Sequence, residues 1–255
     1  MRKAILIGIN YIGQQAELRG CISDIEKVQA FLSGRGFTEF VILRDDRANA
    51  LPTRAAILQA IMDGVLGCTA GDVLYIHYSG HGSYMKDLSG DEVDGQDECI
   101  CPVDYQTAGM IIDDELNIIV CKLAAGARLR VVFDACHSGS ALDLPIRWIG
   151  GSKTFRENNS APLDKKGNPL DIVFLSGCQD SQTSADAFIA GDYNGALTYA
   201  WLQAAADALQ AAKTSPYTWK DIGQSCQLWL KKNGYSQIPQ LGVCVRTQLL
   251  NPFDL

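Results

Sequence analysis

The chain lacks any apolar run long enough to cross a membrane. Its 255 residues contain no stretch near the roughly 20 apolar residues that a membrane helix needs. The opening run MRKAILIGI is too short and too glycine-punctuated for the apolar region of a secretory signal peptide. We therefore expect no membrane partner.

Cysteine is not scarce, but the count of nine is odd, and several of these residues lie inside apolar runs. Without a signal peptide, this pattern indicates reduced thiols rather than a disulfide framework. We expect a cytoplasmic protein.

Basic residues are in the minority: 22 Lys and Arg stand against 29 Asp and Glu, which gives a net charge of −7. Nucleic-acid-binding proteins usually carry a basic excess on one face, so no nucleic-acid partner is expected. An acidic surface is compatible with cationic substrates or bound cations.

Two familiar cofactor motifs are also missing. Cys99 and Cys101 form a C-x-C, but no second pair lies at the spacing of a structural zinc site. The run GINYIG (residues 8–13) matches neither the dinucleotide fingerprint nor a phosphate-binding loop. We expect neither zinc nor a nucleotide.

What is present is an alternation of strand and helix patterns. Short apolar runs with the length and β-branched content of buried strands occupy residues 3–9, 40–43, 73–78, 129–133 and 172–175. Helical patterns occupy residues 21–35, 53–66, 196–212 and 217–232, and a last strand is expected at 243–245. The order predicts an α/β fold with a mainly parallel sheet covered on both faces. Residues 79–110 are expected to form a long functional loop, and residues 150–169 an exposed linker.

Two of the predicted strands run into residues that carry nucleophilic chemistry. His81 lies between two glycines after the run 73–78, and Cys136 follows the run 129–133. A free thiol, with a pKa near 8.5, needs a neighbouring base or cation to ionise at neutral pH. Because the loops at the carboxyl ends of parallel strands share one crevice, we predict Cys136 as nucleophile and His81 as base. The N–H groups of Gly82 and Cys136 are the predicted donors to an oxyanion.

Other roles are open for these residue types. A lone cysteine after a strand is commonly a small buried apolar residue, and a lone histidine is commonly a satisfied core or surface group. His77 alternates within an apolar strand and is predicted to be structural. His137 is a poorer base than His81, because adjacent residues of an extended segment point in opposite directions.

The segments HYSGHG (77–82) and DACHSG (134–139) resemble the catalytic motifs of type I metacaspases, which are caspase-like cysteine peptidases of clan CD, family C14. Further segments resemble this family in the same order: LRGCISD (18–24), GDEVDGQDE (90–98), PVD (102–104), IDDE (112–115) and SGCQDSQTSAD (176–186). The resemblance covers essentially the whole chain. It implies a three-layer α/β/α sandwich with a central, mainly parallel sheet, and a cysteine-type endopeptidase that acts as a monomer on polypeptides.

The resemblance also implies a pocket for the residue before the scissile bond, formed by Cys21, Asp24, Ser79 and Asp134. Two carboxylates in one pocket suit the guanidinium of Arg or the ammonium of Lys. They would repel an acidic side chain, which disfavours cleavage after Asp. Asp24 also fits a purely structural role as an acidic residue near a helix N-terminus.

Calcium is the cofactor that the resemblance implies, with Asp97, Asp113, Asp114 and Asp143 as ligands. Calcium takes 6–8 oxygen ligands, commonly from several carboxylates. The loop 90–98 is not an EF-hand, because Gly95 at the sixth position would place Gly90 at the first ligand position. Calcium at Asp143, seven residues past Cys136, would reposition the catalytic loop. Acidic loops without such a role are commonly just solvated.

One caspase-like catalytic domain is expected over residues 1–255, with a large-subunit-like region at about 1–146, a linker at about 147–170 and a small-subunit-like region at about 171–255. The resemblance implies self-cleavage after one of the basic residues in this linker, which otherwise solubilise the chain: Arg147, Lys153, Arg156, Lys165 and Lys166. Many family members carry a Pro/Gln-rich or zinc-finger N-terminal extension, whereas this chain begins almost at its first predicted strand.

Two other classes of function stay open. A non-catalytic caspase-like scaffold would act through partner binding, although intact Cys136 and His81 speak against it. A different cysteine hydrolase, such as an amidase or a deubiquitinating enzyme, would have no use for pairing Asp24 with Asp134. The leading prediction is a calcium-activated endopeptidase specific for Arg or Lys.

Overall fold

The computed structural model describes residues 1–86, 96–136, 141–152, 155–157, 162–177, 186–189, 191–211 and 216–255. The strands are β1 (Arg2–Gly8), β2 (Glu39–Arg44), β3 (Val73–Ser79), β4 (Gly82–Lys86), β5 (Gln96–Ile100), β6 (Ile111–Ile112), β7 (Arg128–Asp134), β8 (Ile146–Ile149), β9 (Phe155–Glu157), β10 (Asp171–Ser176), β11 (Asp186–Ile189), β12 (Asp192–Gly195) and β13 (Gln240–Val243). The α-helices are α1 (Cys21–Ser33), α2 (Arg54–Leu66), α3 (Tyr105–Ala108), α4 (Asp113–Val120), α5 (Ala196–Ala211) and α6 (Trp219–Lys232). None of the helices in these ranges is both long and apolar enough to cross a lipid bilayer.

The main sheet has the strand order β2-β1-β3-β7-β10-β13-β8-β9 among the described residues. The first five strands of that order run parallel. The last three each run antiparallel to the strand before them. Parallel neighbours require crossover connections, which α1 and α2 provide between β1, β2 and β3. The predicted mainly parallel sheet is confirmed.

Alternate side chains of the central strands enter two cores on opposite faces of the sheet. On β1, Ile5 and Ile7 pack with residues of α2 and α4, whereas Ala4 and Leu6 pack with residues of α1, α5 and α6. Strands that are buried on both faces have continuous apolar sequences. This is why the central strands were recognisable in the sequence, and it produces the predicted three layers.

Three parts of the predicted organisation differ from the structure. The segment 79–110, expected as a loop, contains β4, β5 and α3, and β4 and β5 join β6 in a small antiparallel sheet. The expected linker contains β9 and most of β8, which extend the main sheet beyond β13. The last strand ends at Val243 rather than beginning there. These strands are short and mix polar with apolar residues, so they lack the apolar runs on which the sequence prediction depended.

Candidate active site

The candidate site lies where β3 and β7 end side by side. Their parallel register sets Ser79 opposite Asp134, and the N–H of Gly80 donates to the carbonyl of Asp134 at 3.4 Å. His81 and Cys136 each follow the last residue of their strand by two positions. The two predicted catalytic segments therefore leave the sheet from one point.

Gly82 lies directly against the backbone of Cys136. A β-carbon built at Gly82 would sit 1.9 Å from the carbonyl oxygen of Cys136 and 3.2 Å from the β-carbon of Ala135. No side chain fits in that space, so only glycine allows the two segments to approach this closely. The contact joins the segment that carries His81 to the segment that carries Cys136.

The imidazole of His81 is oriented by a backbone carbonyl. Its Nε2 lies 2.7 Å from the carbonyl oxygen of Ala16. Because a carbonyl oxygen only accepts hydrogen bonds, we assign the proton of the neutral ring to Nε2. Nδ1 is then the nitrogen with a lone pair, which is the form that a general base requires.

Two buried tyrosines hold the peptide groups of His81. The His81 N–H donates to the Tyr11 hydroxyl at 2.9 Å, and the Tyr78 hydroxyl donates to the His81 carbonyl at 2.7 Å. The Tyr11 hydroxyl in turn donates to the Cys101 carbonyl at 2.6 Å, and its ring centroid lies 4.5 Å from that of the imidazole. Tyr11 adopts a φ of +54°, a conformation uncommon for a bulky residue. Burial raises the pKa of Tyr11 well above its ordinary value, so the hydroxyl stays a neutral donor.

The carboxylates of Asp24 and Asp134 converge at Gly195. Asp24 accepts hydrogen bonds from the Ser79 hydroxyl at 2.6 Å and from the Gly195 N–H at 3.0 Å. Asp134 accepts the N–H of Thr198 at 2.7 Å. A β-carbon at Gly195 would lie 2.2 Å from an oxygen of Asp134 and 2.8 Å from one of Asp24. Three of the four predicted pocket residues therefore meet at one place.

This pair of carboxylates carries an electrostatic cost. Asp24 is fully buried, and Asp134 is only 4% exposed. Burial, followed by the charge of Asp134, raises the pKa of Asp24 well above its ordinary value. A cationic group that reached the pair would offset this cost. Cys21, the fourth predicted pocket residue, is buried at the start of α1, where its N–H donates to the Asn10 side chain at 3.0 Å.

The predicted calcium ligands lie on β5, at the start of α4 and before β8. Asp113 is buried, and its oxygens accept the N–H groups of Glu98 and Asp114 at 2.9 Å each. Burial and then the charge of Asp143 raise the pKa of Asp113 to about 9, so these two carboxylates lie within electrostatic range. Asp97 is buried in β5. No three His, Cys, Asp or Glu side chains in the described ranges are grouped to hold a metal ion.

His77 lies outside this site and is structural, as predicted. Its ring nitrogens lie 3.3 Å from the Tyr75 hydroxyl and 3.2 Å from the Thr198 hydroxyl. Burial lowers the pKa of His77 to about 3, so the ring is neutral at physiological pH. His137, Lys153 and the greater part of the acidic loop 90–98 are outside the described residues.

Sequence reasoning gave no role to Tyr78, which lies inside the motif HYSGHG, and it missed four further residues of the site. Tyr11 and Ala16 lie in the loop after β1, and Gly195 and Thr198 lie where β12 leads into α5. Ala16 and Thr198 contribute backbone groups, which any residue type would carry. Gly195 is required to be glycine by the approach of Asp24 and Asp134, which only the fold specifies. Tyr11 lies in a run that matched no motif. No sequence signal identified these four positions.

Comparison with known proteins identifies the family. The sequence profile of the metacaspase, peptidase C14 domain matches residues 2–145. This chain is a member of the metacaspase family. Metacaspase-1 of Mycosarcoma maydis is 42% identical over 247 residues, which cover 79% of this chain and 61% of that protein. Metacaspase-1 of Ajellomyces capsulatus is 40% identical over 250 residues, which cover 80% of this chain and 70% of that protein. The chain thus spans 61 to 70% of the length of these two metacaspases.

Solved structures agree with this assignment. A Geobacter sulfurreducens protein of known crystal structure is 27% identical in sequence to this chain. The two structures superpose with a TM-score of 0.65, and the alignment covers 97% of this chain and 96% of that one. Caspase-1 from Spodoptera frugiperda is 11% identical, with a TM-score of 0.60 over 96% of this chain and 86% of that one. At that identity the second likeness shows the fold alone. The metacaspase chain therefore has the caspase-like α/β fold that its sequence implied.

The buried carboxylate pair predicts how the stability of this metacaspase domain depends on pH. Folded Asp24 keeps its proton above the pH at which an unfolded aspartate, with a pKa near 3.9, has lost it. The free energy of unfolding should therefore fall as pH rises from about 4 toward the folded pKa, by up to about 1.4 kcal/mol per pH unit. Asp24→Asn removes this pH-dependent loss of stability, so the variant should gain stability relative to the wild type as pH rises. Urea unfolding at several pH values measures the difference.

The control is Asp192→Asn on the surface, where hydrogen bonds from Ser23 and Lys27 lower the pKa of Asp192. That variant should show no relative gain as pH rises. If the difference in stability between the wild type and Asp24→Asn were the same at every pH, the pKa of Asp24 would not be raised in the folded protein.

Proposed function

We propose that this domain is a calcium-activated cysteine endopeptidase that cleaves peptide bonds after Arg or Lys. One observation carries the proposal. A buried pair of carboxylates, Asp24 and Asp134, lies at the same strand ends from which His81 and Cys136 emerge. A nucleophile with a base beside it fits acyl transfer, and a carboxylate pair beside both fits a cationic substrate side chain.

In the proposed reaction, Nδ1 of His81 takes the thiol proton of Cys136, and the sulfur attacks the carbonyl carbon of the scissile bond. The N–H groups of Gly82 and Cys136 donate to the oxyanion. The proton passes from His81 to the leaving amine, and a thioester remains. Water, deprotonated by His81, then hydrolyses the thioester and releases Cys136.

The carbonyl of Ala16 supports this assignment of roles. Its 2.7 Å contact with Nε2 of His81 fixes the ring and stabilises the imidazolium that forms when Nδ1 takes a proton. A hydrogen bond from a charged donor is stronger than one from a neutral donor, so this contact strengthens as the reaction proceeds.

Specificity for a basic residue follows from the burial of the pair. Asp134 retains slight exposure and Asp24 has none. We therefore propose that the substrate cation contacts Asp134, while Asp24 loses its proton as that cation arrives. An acidic substrate side chain would place a second negative charge beside Asp134, which disfavours cleavage after Asp.

Peptide hydrolysis tests the proposal. Fluorogenic peptides that end in Arg, Lys or Asp are compared in the wild type, in Cys136→Ala and in Asp134→Asn. We expect release after Arg and Lys only, complete loss in Cys136→Ala, and a fall in kcat/KM of about 100-fold in Asp134→Asn, because a buried charge pair loses one partner. If the wild type hydrolysed none of the peptides, a non-catalytic scaffold would be favoured. Equal cleavage after Asp and after the basic residues, unaffected by Asp134→Asn, would favour a different hydrolase.

Tyr11 is a positioning residue in this mechanism, because it holds the His81 peptide group and does not reach the carboxylate pair. Tyr11→Phe should lower kcat by about tenfold with little change in KM, since one buried hydrogen bond to the His81 backbone is lost. Tyr75→Phe is the matched control, because it removes a buried phenol that lies 3.3 Å from His77 in the other core. A purely structural effect would lower stability in both variants and leave both kcat values unchanged.

The donor types suit calcium, although the side chains in the described ranges are not grouped to hold an ion as they stand. Asp97, Asp113, Asp114 and Asp143 offer only oxygen ligands, and Asp113 is buried beside the charge of Asp143. When bound, calcium would supply a compact positive charge that favours the ionised form of both carboxylates. Asp143 follows the catalytic segment, so holding its side chain would reposition the catalytic loop.

Thermal unfolding of Cys136→Ala in calcium and in chelator tests the metal separately from activity. Calcium at about 100 times its Kd should raise Tm by roughly 5 °C or more. Asp113→Asn should abolish this shift, and Asp63→Asn on the exposed face of α2 should keep it. Equal Tm values with calcium and with chelator, together with equal hydrolysis rates, would remove calcium from the proposal.

Self-cleavage is proposed for the exposed turn that carries Lys165 and Lys166. Asp164 accepts the N–H groups of Lys166 and Asn168 at 2.8 Å each, which forms a tight turn on the surface. Arg147 is a less accessible candidate, because it pairs within β8. The turn lines one cavity together with residues 121–125, before the start of β7, whereas Cys136 follows the other end of that strand. The seven residues of β7 span about 23 Å, which separates this turn from Cys136 of the same molecule. The turn would therefore be cut by a second molecule.

An intermolecular cut has a concentration dependence. The rate of nicking per molecule should rise in proportion to enzyme concentration, and catalytic amounts of wild type should nick Cys136→Ala at Lys165 or Lys166. Mass spectrometry identifies the new terminus, and a variant with both lysines changed to Ala is the control. A nicking rate independent of concentration, or an intact chain in fully active enzyme, would contradict this prediction.

We also propose that the domain acts as a monomer in the cytoplasm on polypeptide substrates, with no nucleic-acid or membrane partner. All eight cysteines in the described ranges are free thiols, which suits a reducing compartment. The net charge of −7 disfavours binding to nucleic acid.

A further inference from the structure

Three sulfur atoms converge behind the candidate active site. The Sγ atoms of Cys99 and Cys101 lie 3.3 Å and 3.6 Å from Sδ of Met110. Cys99 lies in β5 and Cys101 just beyond it, so the alternation of a strand puts both side chains on one face. Met110 immediately precedes β6, one step past the paired residues Ile100 and Ile111. The small sheet therefore brings the three sulfurs together, and the proposed mechanism uses none of them.

The chemistry of these atoms selects among metal ions. Thiolate and thioether sulfurs are soft ligands that favour Cu(I), whereas calcium takes oxygen. Zinc usually takes four ligands from Cys, His and carboxylates. No third His, Cys, Asp or Glu joins Cys99 and Cys101 in a metal-binding group within the described part of the chain. Two thiols and a thioether thus fit a three-coordinate soft ion better than a tetrahedral one.

The separation of each thiol from the Met110 sulfur is close to what such an ion needs. With metal–sulfur bonds of about 2.3 Å, a trigonal ion holds its ligands about 4.0 Å apart. The observed separations of 3.3 Å and 3.6 Å need only a small expansion. Cys99 and Cys101 are buried, and Met110 is half-buried beside the exposed residues 106–109, which gives an entry path from the Met110 side.

We propose that Cys99, Cys101 and Met110 form a site for one Cu(I) ion. Binding replaces the two S–H protons, which pass to solvent, with two copper–thiolate bonds, and Met110 supplies the third ligand without losing a proton. The site carries a net charge of −1 when filled.

The site is coupled to the catalytic histidine through one residue. The N–H of Cys101 donates to the His81 carbonyl at 3.1 Å, and the Cys101 carbonyl accepts the Tyr11 hydroxyl at 2.6 Å. An ion that moves the Cys101 side chain acts on the same peptide groups that position His81. Copper binding should therefore slow peptide hydrolysis.

Competition for Cu(I) tests the site without relying on activity. The reduced Cys136→Ala chain, which lacks the proposed nucleophile as a rival ligand, is titrated anaerobically against the coloured bathocuproine disulfonate complex of Cu(I). One equivalent of copper should leave the chelator. Met110→Leu, which keeps the volume of the side chain, should weaken binding about tenfold or more. Cys99→Ser combined with Cys101→Ser should abolish it, and Cys121→Ser, at a half-buried thiol elsewhere, should change nothing.

X-ray absorption at the copper edge supplies a second measurement should the double variant not fold. The filled site should show sulfur neighbours only, at about 2.3 Å. Failure of the Cys136→Ala chain to withdraw copper would overturn the proposal. So would unchanged binding in Met110→Leu together with nitrogen or oxygen neighbours at the copper.

Discussion

The parallel pairing of β3 with β7 is the interaction on which the site depends. Register pairs run from Val73 opposite Arg128 to Ser79 opposite Asp134, and both strands are largely buried on both faces. A slip of one residue would turn every side chain of one strand to the other face, so the two cores fix the register. That register determines which residues lie next to each other at the carboxyl ends of β3 and β7. Side chains at the last position of each strand enter the carboxylate pocket, and the segments that follow carry the base and the nucleophile.

The pocket shows that the fold tolerates an electrostatic cost at this place. Asp24 accepts hydrogen bonds from Ser79 and Gly195, but these do not outweigh full burial and the neighbouring charge of Asp134. Such a pair destabilises the free protein and attracts a cation, a combination common at functional sites. Gly195 makes the arrangement possible, because any side chain there would collide with both carboxylates. In the proposed peptidase, the basic side chain of the substrate supplies the missing charge.

Central elements and strand-end residues could be predicted from the sequence, and the supporting groups could not. Buried parallel strands have continuous apolar runs, so β1, β3 and β7 were recognisable, and with them the neighbouring positions of His81 and Cys136. The strands β4, β5, β8 and β9 mix polar with apolar residues and were expected as loop or linker. Ala16 acts through a backbone atom, which carries no sequence signal. The need for glycine at position 195 follows from the approach of Asp24 and Asp134, which only the fold specifies. The contacts of Tyr11 depend on a long-range approach to His81 that only the fold specifies.

The central claim is that His81 activates Cys136, and the pH dependence of Cys136 alkylation tests it most directly. Iodoacetamide labelling of the Cys136 peptide is followed by mass spectrometry in the wild type and in His81→Ala, with Cys121 of the same chain as an internal reference thiol. The account predicts that wild-type Cys136 reacts at a pH well below the free-thiol pKa of about 8.5, and that His81→Ala shifts its profile back toward that value. Identical profiles in the two proteins, both close to that of a free thiol, would contradict the account.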